Sequence, residues 1–141
     1  MSEQNASNND EEWGDLVYSY SRAQAIADGV LVDVSEVARE AGFRWPVAMT
    51  DTVWADCVAW SKDDNAAQTY QDESGRLWDV VYMAANAVRR QSTNGRMLHY
   101  EIVRVPRNGR ARQAESVMLE LDVGPGDEGE LVVTIMMIGE S

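Results

Sequence analysis

The sequence predicts an α+β fold, with N-terminal helices (three short, one long) followed by a three-stranded antiparallel β-meander. Three observations predict it. Helical spacing of apolar residues, punctuated by capping residues and glycines, runs from Ser21 to Arg90. From Met97 onward the period changes to two. Gly, Pro and Asn cluster between the alternating runs, as hairpin connections require. Helices first and strands last is an α+β pattern. The 141 residues suit one domain over 13–141, preceded by an acidic disordered tail over 1–12.

Ser21 is placed to cap a short helix over Arg22–Asp28, with Ala23, Ile26 and Ala27 on one face and Gly29 as its stop. Val30, Leu31 and Val32 form an apolar run too short to classify. Ser35 reads as the cap of a second helix, Glu36–Ala41, closed by Gly42. Phe43 to Met49 reads as an apolar connector, with Pro46 holding Trp45 extended. Thr50 caps a third helix, Asp51 to about Ser61. Lys62 to Glu73 is polar and reads as a loop. Ser74 and Gly75 open the longest helix, to about Arg90, with Leu77, Val80, Val81, Ala84 and Val88 as its core face.

In the first strand, Leu98, Tyr100 and Ile102 share one face, opposite His99, Glu101 and Val103. Pro106 and Asn108-Gly109 mark a turn. The second strand covers Glu115–Val123, with Val117, Leu119, Leu121 and Val123 inward and Met118, Glu120 and Asp122 outward. The third, Leu131–Ile138, is apolar on both faces and is expected to be covered on both sides or central. Most of the five tryptophans should be core, with Trp13 the candidate for an exposed anchor.

The net charge of -12 is unevenly distributed. Residues 1–64 carry net -9, residues 65–112 net +4 and residues 113–141 net -7. An acidic chain repels nucleic acid and anionic membrane at long range and attracts basic protein surfaces. No apolar run approaches the roughly 18 residues of a membrane helix, and the N-terminus lacks the features of a signal peptide. A lone cysteine excludes an internal disulfide and suits a cytoplasmic protein.

Few residues offer catalysis. One His and one Cys cannot build the usual zinc sets. Asp63-Asp64 and Asp72-Glu73 do not match a calcium loop. The Gly124–Gly129 stretch lacks the following base and helix of a phosphate loop. No metal or cofactor is expected. Cys57 and His99 could pair as nucleophile and base, but Cys57 lies on a helix stripe with Val53 and Trp60, where a free cysteine is an ordinary buried hydrophobe. The sharpest local anomaly is the run of arginines from Arg89 to Arg112, without a lysine. Arg104, Arg107, Arg110 and Arg112 would form a cationic hairpin, suited to carboxylate and phosphate forks. The simpler expectation is pairing with acids of the same chain.

The segments YSYSRAQAIADGVLVDVSEVAREAGFRWPVAMTDTVW, YQDESGRLWDVVYMAANAVRR, MLHYEIVRVPRNGR and DVGPGDEGELVVTIMM carry a resemblance across nearly all of the chain after the tail. The chain resembles a family of small uncharacterised acidic proteins encoded on plasmids, prophages and integrative elements. The resemblance implies no activity and no functional residues. It implies a mobile genetic element as the setting, where such proteins act on host defence or element maintenance by binding a protein.

The expected function is therefore a non-enzymatic accessory protein. It would bind and inhibit a host nucleic-acid-handling protein, such as an anti-CRISPR or anti-restriction target, whose surface is basic. Asp28, Asp33, Glu36, Glu40, Asp51 and Asp56 are the candidate acidic face. Two alternatives are a nucleic-acid-binding protein using the Arg hairpin and a small Cys57–His99 enzyme.

Overall fold

The computed structural model describes residues 20–91 and 96–140. Five strands form one sheet: β1 (Leu31–Asp33), β2 (Val47–Thr50), β3 (Met97–Arg104), β4 (Glu115–Pro125) and β5 (Leu131–Met137). Their order is β1-β2-β5-β4-β3. β2 and β5 run parallel, and the other neighbours are antiparallel. This overturns the expected three-stranded meander. The three C-terminal strands pair antiparallel in sequence order, but two strands from the helical half extend the sheet and make it mixed. The longest helix consequently lies mid-chain, between the two sets of strands.

The helices are α1 (Arg22–Ala27), α2 (Ser35–Ala41), α3 (Asp51–Val53), α4 (Lys62–Ala67) and α5 (Glu73–Arg90). In α1 the Ser21 hydroxyl accepts from Gln24 N at 2.9 Å, as expected of its cap. Ser35 is not the cap of α2, which begins one residue earlier, after Val34. Its hydroxyl serves the sheet instead, accepting from Val47 N at 3.0 Å and donating to Asp33 Oδ1 at 2.7 Å. Gly42 closes α2 at φ 114°, a left-handed conformation that L side chains rarely adopt.

The supposed connector contains β2. Val47, Ala48 and Met49 are all buried, because β1 and β5 flank the strand and both faces of the sheet are covered there. A strand buried on both faces shows no alternation. The third helix also differs from its expected span. Thr50 Oγ1 accepts from Val53 N at 3.2 Å, as expected. After Val53 the backbone widens into a π-helical turn, Trp54–Val58, closed by Ala59 N donating to Trp54 O at 2.8 Å. It ends there, short of Ser61.

The expected loop over Lys62–Glu73 contains α4. A capping box starts it: Ser61 N donates to Asp64 Oδ2 at 2.8 Å, and Ser61 Oγ accepts from Asp64 N at 3.4 Å. α4 buries none of its own residues, so it leaves no apolar period to read. α5 starts at Glu73, with Asp72 Oδ1 accepting from Gly75 N at 2.6 Å.

The core lies between α5 and one face of the sheet. Val80, Val81, Ala84 and Ala87 of α5 meet Leu98, Tyr100, Leu119, Leu121 and Ile135, with Ala38 and Ala41 of α2 alongside. β5 is the middle strand, consistent with its two apolar faces. Glu120, expected on the solvent side, does point away from this core but is buried between its cross-strand neighbours His99 and Met136. Trp60 is buried and Trp54 and Trp78 are half-buried, whereas Trp45 is exposed. Trp13 and the tail over 1–12 lie outside the described residues.

Candidate functional site

Cys57 and His99 lie on opposite faces of the sheet. Cys57 is 1% exposed, among the core residues beneath α5. His99 projects from the other face, with Nε2 3.4 Å from Glu120 Oε1. Burial, reinforced by the Asp56 carboxylate, pushes the Cys57 thiol up to about 12. A thiol held there is protonated at neutral pH and is a poor nucleophile. Native protein is expected to resist alkylation by iodoacetamide at pH 8, with one equivalent incorporated after denaturation in guanidinium. Ready labelling of the folded chain would contradict the burial. Among the described residues, no three His, Cys, Asp or Glu converge as a metal site.

The expected Arg hairpin is a folded-down loop. β3 and β4 are joined by Val105–Ala114, and its first and last flanking residues, Arg104 and Glu115, are paired. Buried Gln68, which follows α4, holds the loop from below. Gln68 Nε2 donates to Pro106 O at 2.8 Å and Ala111 O at 2.5 Å, and Gln68 Oε1 accepts from Gly109 N at 3.1 Å. Arg104 Nη2 donates to both oxygens of Asp56 at 3.1 Å. Arg107 Nε donates to Asp64 Oδ2 at 2.8 Å. Arg112 Nη1 reaches Gln68 O at 3.4 Å. Arg110 is exposed at the tip. The four arginines are thus near one another, but three are occupied within the fold.

Five of the six candidate acids lie on or beside the elements around β1, Asp28 after α1 on the sheet face away from α5 and Glu36 and Glu40 on α2, which packs on the α5 face. Asp28 follows α1 and accepts from Tyr20 Oη at 2.6 Å, the main reason its pKa is lowered. Asp33 ends β1 and accepts from Ser35 N at 3.0 Å. Glu36 and Glu40 are exposed on α2, and Asp51 is exposed in the first turn of α3. Asp51 N donates to Val30 O at 3.0 Å, which draws the start of α3 against the entry to β1. None of these five has a cationic partner among the described residues. Asp56 departs from the group, because Arg104 neutralises it at the far end of β3.

An open cleft of about 500 Å³ lies on the sheet face away from α5. Arg22 enters it from α1, donating through Nη1 to Thr134 Oγ1 and through Nη2 to Val133 O, each at 2.7 Å. Asp127 in the β4–β5 turn accepts from Arg22 N and Ala23 N at 2.8 and 3.0 Å. These bonds fasten α1 to the sheet and lower the Asp127 pKa. Arg96 lines the same cleft, and its Nη2 lies 2.9 Å from where a Cβ on Gly124 would project. Gly124 therefore gives this guanidinium room. Asp122 and Asp127 place two carboxylates in the same cleft as the two arginines. The arrangement can hold polar groups.

Sequence reasoning missed Arg22 and Gln68. Arg22 carried a signal: a cation in the first turn opposes the helix dipole unless something outside the helix anchors it. Gln68 carried none, because its partners lie about forty residues further along the chain.

No curated protein and no solved structure matches the chain at significance. One family model does match, over residues 7–141. That span is nearly the whole chain, and it includes α1, the complete sheet and the folded-down Arg loop. The protein accordingly belongs to the DUF6573 family, a family of unknown function.

Proposed function

We propose that the chain is a non-enzymatic binding protein whose β1 side docks on a basic protein surface of the kind that otherwise holds nucleic acid. The observation that carries this reading is how the arginines are used. Arg22, Arg76, Arg89, Arg96 and Arg112 direct guanidinium N–H groups at backbone carbonyls. Among the described residues, only Arg104 and Arg107 form ion pairs with carboxylates. A carbonyl satisfies a guanidinium without neutralising an acid. Of the nineteen carboxylates among the described residues, two are ion-paired with arginine, so most of the others keep their charge. A field of that sign speeds encounter with a basic surface and repels nucleic acid. The mobile-element setting, with a host defence protein as target, is the finer part of the proposal and draws on the resemblance alone. Direct nucleic-acid binding by the Arg loop is the weaker reading, since three of its four arginines are engaged.

Affinity capture from nuclease-treated cell lysate tests the proposal. Wild type is compared with a triple variant, Glu36→Gln, Glu40→Gln and Asp51→Asn. The expected result is a basic protein retained by wild type and held about tenfold more weakly by the variant, at roughly 0.5 kcal/mol per exposed charge. Equal retention by the variant, or loss of the partner on nuclease treatment, would overturn it.

A further inference from the structure

Among the described residues β3 is an edge strand, with β4 on one side and no strand on the other. The ladder shows which of its peptide groups are left over. Val123 N donates to Arg96 O at 2.6 Å. In an antiparallel pair such bonds recur at every second residue. Leu98, Tyr100 and Ile102 therefore turn their peptide groups toward β4, and Met97, His99, Glu101 and Val103 turn theirs to the open edge. His99 O accordingly accepts from outside the ladder, from Gln91 Nε2 at 3.2 Å.

Proteins commonly guard such an edge with proline, lysine, a bulge or a covering element. β3 has no proline or lysine, and its register with β4 is unbroken over all eight residues. The side chains of the four edge residues all project from the sheet face away from the core, and all are exposed. Met97 is 50% and Val103 59% exposed, and Met118, opposite Glu101 on β4, is 46% exposed.

The order of these side chains is complementary to itself. When a second β3 is laid antiparallel about a two-fold axis at Tyr100, Met97 faces Val103 of the second copy and His99 faces Glu101 of the second copy. The reciprocal pairs follow by symmetry. We propose that β3 pairs in this register with β3 of a second copy of the chain, joining the two sheets into one.

The register satisfies three separate requirements. Outward peptide groups meet outward peptide groups, so the hydrogen-bonded ladder closes without a bulge. The apolar pairs sit at the ends and the polar His99–Glu101 pairs inside them. His99 and Glu101 each retain capacity for the contact. One His99 nitrogen faces Glu120, leaving the other. Glu101 Oε2 accepts from Ser116 Oγ, leaving Oε1.

Neighbouring registers fail. A shift of one residue sets outward peptide groups against inward ones. Centring on Glu101 places two carboxylates face to face, which destabilises a pair. Centring on His99 leaves Glu101 against Met97. In the favoured register Arg96 and Arg104 also come opposite each other. Both are tied back, Arg104 to Asp56 and Arg96 to Val123 O. The Gln91 bond to His99 O is displaced on pairing. β1 lies at the opposite edge of the sheet, so the acidic side remains free in the dimer.

Sedimentation and directed disulfides test the pairing on the full chain. Wild type is expected at twice the 15.7 kDa chain mass at micromolar concentration. Val103→Pro removes an edge N–H but no β3–β4 hydrogen bond, and is expected to be monomeric with an unchanged circular dichroism spectrum. Directly opposed residues are about 5.5 Å apart between Cα atoms, within disulfide reach. Met97→Cys mixed with Val103→Cys should therefore oxidise to a covalent heterodimer. Met97→Cys alone should not, because its two copies lie about 20 Å apart along the strands. A monomeric wild type, a dimeric Val103→Pro, or self-linking of Met97→Cys would each overturn the proposal.

Discussion

Arg76→Ala is expected to destabilise the fold by about 3–5 kcal/mol, the usual scale for stranding partners of a buried charge. For a chain of this length that is a fall in Tm of roughly 10–20 °C. Arg76 is 4% exposed, yet no carboxylate bonds it among the described residues. Its Nε donates to Val58 O at 3.1 Å, Nη1 to Val105 O at 2.9 Å and Nη2 to Asp56 O at 3.3 Å. Its Cζ lies 4.5 Å from the centre of the Trp60 ring. Two of the three carbonyls belong to the π-helical turn, and the third follows β3. One side chain thus holds α5, the widened turn and the end of the sheet together.

Truncation would leave those carbonyls without a donor and leave Trp60 over a void. Arg76→Lys is expected to recover less than half of the loss, because an ammonium cannot reach three divergent carbonyls as a planar fork does. Urea unfolding of the three proteins checks this. A loss below about 1 kcal/mol for Arg76→Ala would mean that water replaces the guanidinium, and the junction would not depend on it.

The arginine also marks where sequence reasoning reached its limit. Arg76 falls four residues before Val80 and eight before Ala84, so it sits on the apolar stripe of α5. A cation on a core stripe signals a buried role, but its carbonyl partners are 18–29 residues away in sequence, in a turn with no sequence signature. The caps at Ser21 and Thr50 were legible because their partners are three residues away. So were β3, β4 and β5, each bounded by turn residues. β2 was hidden by its four-residue length and its burial on both faces, and α4 by having no apolar face. The parallel contact of β2 with β5 joins residues 86 apart, as in Val47 and Val133. Nothing local encodes that contact, and missing it turned a mixed sheet into a meander.

The charge pattern was legible in outline. The excess of arginine between acidic flanks suggested pairing within the chain, which Arg104 and Arg107 show. The preference for carbonyls over carboxylates was not legible, because it depends on which backbone groups the fold leaves without partners. That preference is what leaves the acids of the β1 side exposed as charge.

Gln68→Ala is expected to free the Val105–Ala114 loop without unfolding the sheet. Gln68 is 4% exposed and makes three side-chain hydrogen bonds to that loop. Their loss, at about 1 kcal/mol each, amounts to roughly 2–3 kcal/mol of local stability. The loop should then open on the order of 30–150 times more often. Trypsin cleavage after Arg107, Arg110 and Arg112 is expected to quicken by a similar factor, and the Gly109 amide should lose its protection from exchange. Unchanged cleavage would mean that the two ion pairs, rather than Gln68, hold the loop. The same variant separates the two binding readings. If the β1 side is the functional surface, releasing these arginines leaves partner capture as it was and adds no salt-sensitive retention of DNA. A gain in DNA retention would make Gln68 a latch on a nucleic-acid-binding loop, and the acidic surface a means of repelling nucleic acid while that latch is closed.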